Sequence, residues 1–216
     1  METMSTKACE RSVNSLQHIY SIVVGVSVTV ILGNLVTLVQ TVGVQNFASY
    51  RSELLMFISY IHLVIPFFHG GNRYLDATYV TREREAKTYC LLLDFAATLF
   101  QGLILFVMAV VASSIYAFYS VVVLLLIWSV GFVGLTFVTT TREYRARPHH
   151  RRWAVVNLLA IMAILVTLWS DPLLGFSLVS GVAQEIVLAG IVFVRTVLDY
   201  LLVWSFYYPA MDTPGK

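Results

Sequence analysis

Residues 89–141 read YCLLLDFAATLFQGLILFVMAVVASSIYAFYSVVVLLLIWSVGFVGLTFVTTT, and Asp94 is the one charged side chain in those 53 positions. A helix rises about 1.5 Å per residue, so a single helix of this length would measure about 80 Å against a hydrocarbon core of about 30 Å. The stretch must fold back, and Ala112-Ser113-Ser114 is its most polar point. Two antiparallel transmembrane helices, near 89–111 and 115–141, follow from that reading.

Moving outward, apolar runs and short polar clusters keep alternating. Upstream lie spans near 16–42 and 54–69, the second ended by Gly70-Gly71. Downstream lie 153–170, stopped by Asp171-Pro172, and 183–208, ended before Pro209. Composition agrees: 58% of the 216 residues are hydrophobic and 12% are charged, with a mean hydropathy of +0.79. A soluble domain carries about 25% charged residues, so that class is excluded. The sequence predicts an all-α integral membrane protein, a single six-helix transmembrane domain over 1–216 with no soluble domain. The formal net charge of +2 is too small to argue for nucleic acid. Cys9 and Cys90 fall at the same face and do not suggest a disulfide framework. The first run is longer than the core of a signal peptide, about 7–15 residues, and is read as a retained helix. The segment 172–184 lacks Lys and Arg yet stays apolar, so it is expected to lie in the outer interface as a helix or, as the second reading, to dip back into the membrane.

The cations set the orientation. Lys7, Arg11, Arg73, Arg82, Arg84, Lys87, Arg142, Arg145, Arg147, Arg151, Arg152 and Lys216 all fall on one side of the six spans. Arg51 falls on the other side, and Arg195 lies within the last span. The positive-inside rule then predicts a multi-pass protein of the plasma (inner) membrane with both termini cytoplasmic. The arginine-rich run Arg142–Arg152 is expected to meet anionic lipid headgroups.

Three features carry the functional reading. Ser21, Gly25, Thr29, Gly33, Thr37 and Thr41 recur at every fourth residue of the first span, a small-residue stripe that lets another backbone approach and predicts a homo-oligomer. Ser27, Asn34 and Gln40 lie off that stripe and are candidates to line a path. The second feature is a set of ionisable groups within the spans: His62, Asp94, Arg195 and Asp199. Such groups are rare at membrane depth and are functional candidates by default. Arg195 and Asp199 are i, i+4 on one helix face, so an internal pair is expected, with Asp94 as the other candidate partner. The third is Phe67–Asp76, where His69, Asn72, Arg73 and Asp76 follow Pro66 and suggest a cytoplasmic gate or ligand edge. Pro66 is expected to kink the end of the second span and the glycine pair to permit a sharp exit.

No spacing of His and Cys matches a metal site, no cofactor is implied, and no catalytic motif names a reaction. In length and predicted topology the chain resembles bacterial relatives of the lysosomal potassium channel. Ile19-Tyr20-Ser21 stands where that family's first span carries Phe-Ser-Asp, and no pore residue is carried over. The function expected from these residues is an oligomeric ion or small-solute channel, pore or transporter. A membrane-embedded enzyme acting on a lipid or polyprenyl group at the cytoplasmic interface is the second reading, and a regulatory or anchoring subunit the third.

Overall fold

The computed structural model describes residues 6–80, 88–139, 148–174 and 179–208. The described residues form helices and no strands: α1 (Thr6–Val42), α2 (Phe47–Leu75), α3 (Thr88–Val110), α4 (Ile115–Thr139), α5 (Pro148–Leu174) and α6 (Val182–Tyr207). All six include a stretch long and apolar enough to cross a membrane. The turn between α3 and α4 falls at Val111–Ser114, where the Ala-Ser-Ser segment was expected to reverse the chain. Gly43 follows α1 with φ of +83°, a conformation that a side chain would strain, and its N–H closes on Val39 O at 2.9 Å.

Several boundaries differ from expectation for identifiable reasons. α2 does not stop at Gly70-Gly71 but continues to Leu75 and then through a π-helical turn, Asp76–Val80. α5 opens on Pro148, which suits a first helical position because its missing N–H would have no partner there. That helix also passes through Asp171-Pro172 to Leu174. The expected interfacial helix over 172–184 is therefore not formed as such: 172–174 belong to α5 and 182–184 to α6, while 175–178 lie outside the described residues.

Five helices close a ring. α2 packs on α6, α6 on α5, α5 on α4, α4 on α3, and α3 returns to α2, while α1 lies outside against α3 and α2. In α1, 17% of the apolar stretch is buried, against 39–44% in the other five. The ring's interior holds Leu63, Phe118, Val122, Ile164, Leu188 and Val192. Ser59, well inside α2, and Tyr119, near the start of α4, hydrogen-bond at 2.9 Å. The outside is apolar, with Leu92, Leu159 and Leu201 exposed by 70%, 64% and 70%. A water-soluble bundle would bury that surface, whereas lipid tails are as apolar as Leu. Helix association in such a solvent rests on close packing and interhelical hydrogen bonds, so the few polar side chains become the informative ones.

Candidate functional site

Pro66 lies inside α2 and has no N–H to give the carbonyl four residues earlier, that of His62. The Thr196 hydroxyl of α6 donates to His62 O at 2.7 Å, so a neighbouring helix satisfies the group that proline leaves open. One turn beyond, Gly70 and Gly71 offer no side chain. A Cβ on Gly70 would stand 3.5 Å from the Tyr207 hydroxyl, and one on Gly71 would stand 3.4 Å from the Tyr20 ring. The glycine pair thus serves close approach by two tyrosines within a continuing helix, not an exit from it.

Beside these residues the ring opens into a cavity of about 100 Å³. Its walls are Pro66, Phe67, Gly70, Gly71 and Tyr74 from α2; Ala97, Thr98 and Gln101 from α3; Trp128 and Phe132 from α4; Trp153 from α5; and Arg195, Val203, Phe206 and Tyr207 from α6. All five helices of the ring contribute. The cavity runs from about halfway along α6, at Arg195, toward the end of the bundle where α2 and α6 finish.

Arg195 is 2% exposed, and its charge is held from three directions. Nε donates to Asn157 Oδ1 at 2.9 Å, Nη1 stands 3.1 Å from Asp199 Oδ2, and the guanidinium carbon sits 4.8 Å from the centre of the Phe67 ring. The approach of Nη1 to Asp199 is off the line of a hydrogen bond: both Nη1 and Nη2 are buried without an acceptor. Asp199 Oδ2 accepts instead from the Tyr207 hydroxyl at 3.2 Å, and Oδ1 is buried with no donor. The pair therefore balances charge in a low-dielectric interior while leaving N–H donors unused beside a cavity.

Asp94 is not Arg195's second partner. Its Oδ2 accepts from Tyr74 at 3.0 Å and from Tyr79, in the π-helical turn, at 2.6 Å. Tyr74 also lines the cavity, so the two carboxylates flank it from different helices. His62 does not join this layer: its Nδ1 meets Ile58 O at 2.8 Å in its own helix and its ring packs on Phe193.

The edge decamer is organised by α6. His69 stacks beside Tyr207, with ring centres 4.8 Å apart, and its Nδ1 is 3.4 Å from the Tyr200 hydroxyl. Arg73 donates from Nε to Phe206 O at 3.1 Å and pairs with Asp76 at 3.3 Å, tying the end of α2 to the end of α6. Asn72 O accepts from Gln17 of α1 at 3.0 Å.

The first-span candidates separate. Ser27 is fully buried and accepts from Tyr60 at 2.5 Å, whereas Asn34 and Gln40 are exposed on the outer side of α1. They do not line one path. The stripe also faces outward: Gly25, Thr29, Gly33, Thr37 and Thr41 are exposed, and a Cβ at Gly25 or Gly33 would meet nothing within 4 Å. The basic run lies largely outside the described residues; of its arginines, Arg151 and Arg152 are described, and both are exposed.

Sequence reasoning missed Asn157, Gln101, Thr196 and the aromatic walls. Asn157 carried a signal, as an amide in the fifth apolar run. It also missed Glu185, which bonds Arg51 at 3.0 Å and joins the starts of α2 and α6. Among the described residues, no three His, Cys, Asp or Glu side chains gather as a metal site. Comparison of the chain with protein-family models, curated proteins and solved structures gives no match.

Proposed function

We propose that the protein is a multi-pass transporter or gated channel for small solutes in the inner membrane, with both termini cytoplasmic. Its solute path begins in the cavity enclosed by α2–α6. The observation that carries this reading is a buried Arg195–Asp199 pair, 2% and 0% exposed, beside a cavity to which all five ring helices contribute. A charge held at that depth is costly, and a scaffold alone would do as well with apolar packing. Beyond the cavity the ring is filled by Leu63, Phe118, Leu188 and Val192, which fits a path closed on one side and opened by movement of helices. Thr196 capping a proline-freed carbonyl supplies one contact that such movement would exchange.

The outward small-residue face of α1 supports assembly with further copies of the chain, with α1 as the contact helix. The basic Arg142–Arg152 run is assigned to anionic headgroups at the cytoplasmic surface. Purified protein in liposomes tests the reading. Flux of at least one of potassium, sodium, chloride, protons or a small organic anion above that of protein-free vesicles is the expected result. Absence of flux across that panel would transfer the cavity to the enzyme or regulatory reading.

A further inference from the structure

We infer that the cavity is a binding site for a small oxyacid, a carboxylate or phosphate group carried on a compact apolar or aromatic body, which enters together with one proton. This rests on the cavity being the start of the solute path and names what enters it.

Three observations carry the inference. Among the described residues Arg195 is the one charged side chain in the cavity's walls, and its Nη1 and Nη2 are buried without an acceptor. Of the other polar hydrogens at the walls, Tyr207 donates to Asp199, Tyr74 to Asp94, Thr98 to Asp94 O and Gln101 to the Tyr20 hydroxyl. What the cavity lacks is therefore an acceptor placed at the guanidinium, and two oxygens on one planar group match its paired N–H donors. The walls also include Trp128, Phe132, Trp153 and Phe206, which favour a ring or a compact hydrocarbon over a hydrated ion. At about 100 Å³ the space suits something of the order of a benzene ring, not a long chain.

Charge balance supplies the proton. Arg195 and Asp199 cancel when the cavity is empty, and an anion arriving alone would leave a net negative charge in a low-dielectric interior. The groups that share it are Asp199, Arg195 and Tyr207 on α6, with His69 of α2 against Tyr207, Asn157 of α5 on Arg195, and Asp94 of α3 behind Tyr74 at the other flank. One proton taken up with each oxyacid leaves the charge of this cluster unchanged.

Benzoate is the probe, with benzyl alcohol lacking the charge and acetate lacking the ring. In nanodiscs of phosphatidylcholine, radiolabelled benzoate should bind saturably and at least roughly tenfold tighter than either control competes. Calorimetry in two buffers of different ionisation enthalpy should read about one proton taken up per benzoate. Ala97→Phe, which fills the cavity without touching the charge pair, should abolish binding. Arg195→Leu with Asp199→Leu should weaken benzoate by at least roughly tenfold and leave benzyl alcohol unchanged. Equal competition by benzyl alcohol, unchanged binding in a folded Ala97→Phe protein, or no proton uptake would each overturn the inference. If the double variant does not fold, Ala97→Phe decides alone. Nanodiscs containing phosphatidylglycerol assign the source of the oxyacid: unchanged benzoate affinity means a water-borne ligand, and competitive weakening means a lipid phosphate holding the same guanidinium. Benzoate binding without liposome flux upholds the site and removes the transport reading. Flux of other solutes without benzoate binding does the reverse.

Discussion

α1 and α6 both carry polar residues at helical spacing through an apolar run, yet they present them to opposite surroundings. On α1, Gly25, Thr29, Gly33 and Thr37 face outward, and Thr29 bonds back to Gly25 O of its own helix at 2.9 Å. On α6, Glu185, Leu188, Val192, Arg195, Asp199, Val203 and Tyr207 form one buried stripe, and its polar members bond across to α2 and α5 or along the helix to one another. Spacing identifies a stripe in both cases. What separates them is content: small and hydroxyl residues can satisfy themselves within a helix, whereas a guanidinium or carboxylate cannot and must be turned toward partners.

That difference predicts where substitutions hurt. The largest effect belongs to Arg195→Leu, which leaves the Asp199 carboxylate buried without its counter-charge and should destabilise the bundle by about 3–5 kcal/mol. Denaturant titration in bicelles measures it, and a loss below 1 kcal/mol, roughly the median of a surface pair, would mean that water reaches the pair freely. Asn157→Leu comes next: it removes the acceptor of Arg195 Nε and should cost about 1–3 kcal/mol in the same assay. Thr196→Val and Thr29→Val then set the two helices against each other. The first strips the His62 carbonyl of its donor and should cost about 1 kcal/mol, while the second should be near zero because Thr29 bonds only within its exposed face. Equal losses would erase the distinction drawn between α1 and α6. The smallest effect on the fold is expected from Gly25→Leu and Gly33→Leu, within about 0.5 kcal/mol, because neither site has a neighbour to displace. Native mass measurement of the same variants reads assembly instead: reduced stoichiometry is expected, and wild-type stoichiometry would return the α1 face to lipid.

The six apolar helices were legible because their signal is length and composition, and both survive any packing arrangement. The reversal at Ala112-Ser113-Ser114 was legible for the same reason: no single helix of that length fits a bilayer. The ends were less so. Gly70-Gly71 reads as a break, but glycine also permits close approach, and only the positions of Tyr20 and Tyr207 decide between the two. The Arg195–Asp199 pairing was visible as i, i+4 spacing on one helix. Asn157, 38 residues from Arg195 in sequence, was not, since nothing local says which face of α5 meets α6. For Pro66 the sequence reveals which carbonyl is left open, that of His62, but not that Thr196 answers it from 134 residues away. The partners of Asp94 were not legible, because the tyrosines that hold it arrive on a continuation of α2 past the glycine pair that reads as its end.

The double variant Arg195→Leu with Asp199→Leu tests the central claim most directly. Removing both charges leaves no uncompensated charge, so much of the stability lost in Arg195→Leu should return, less what Asn157 and Tyr207 lose as their hydrogen-bond partners go. Flux through liposomes holding this protein, compared with wild type under identical loading, is then a reading of function separated from folding. A folded double variant with at least roughly tenfold lower flux is the predicted result. Wild-type flux through that folded variant would show the pair to be scaffold and would contradict the account.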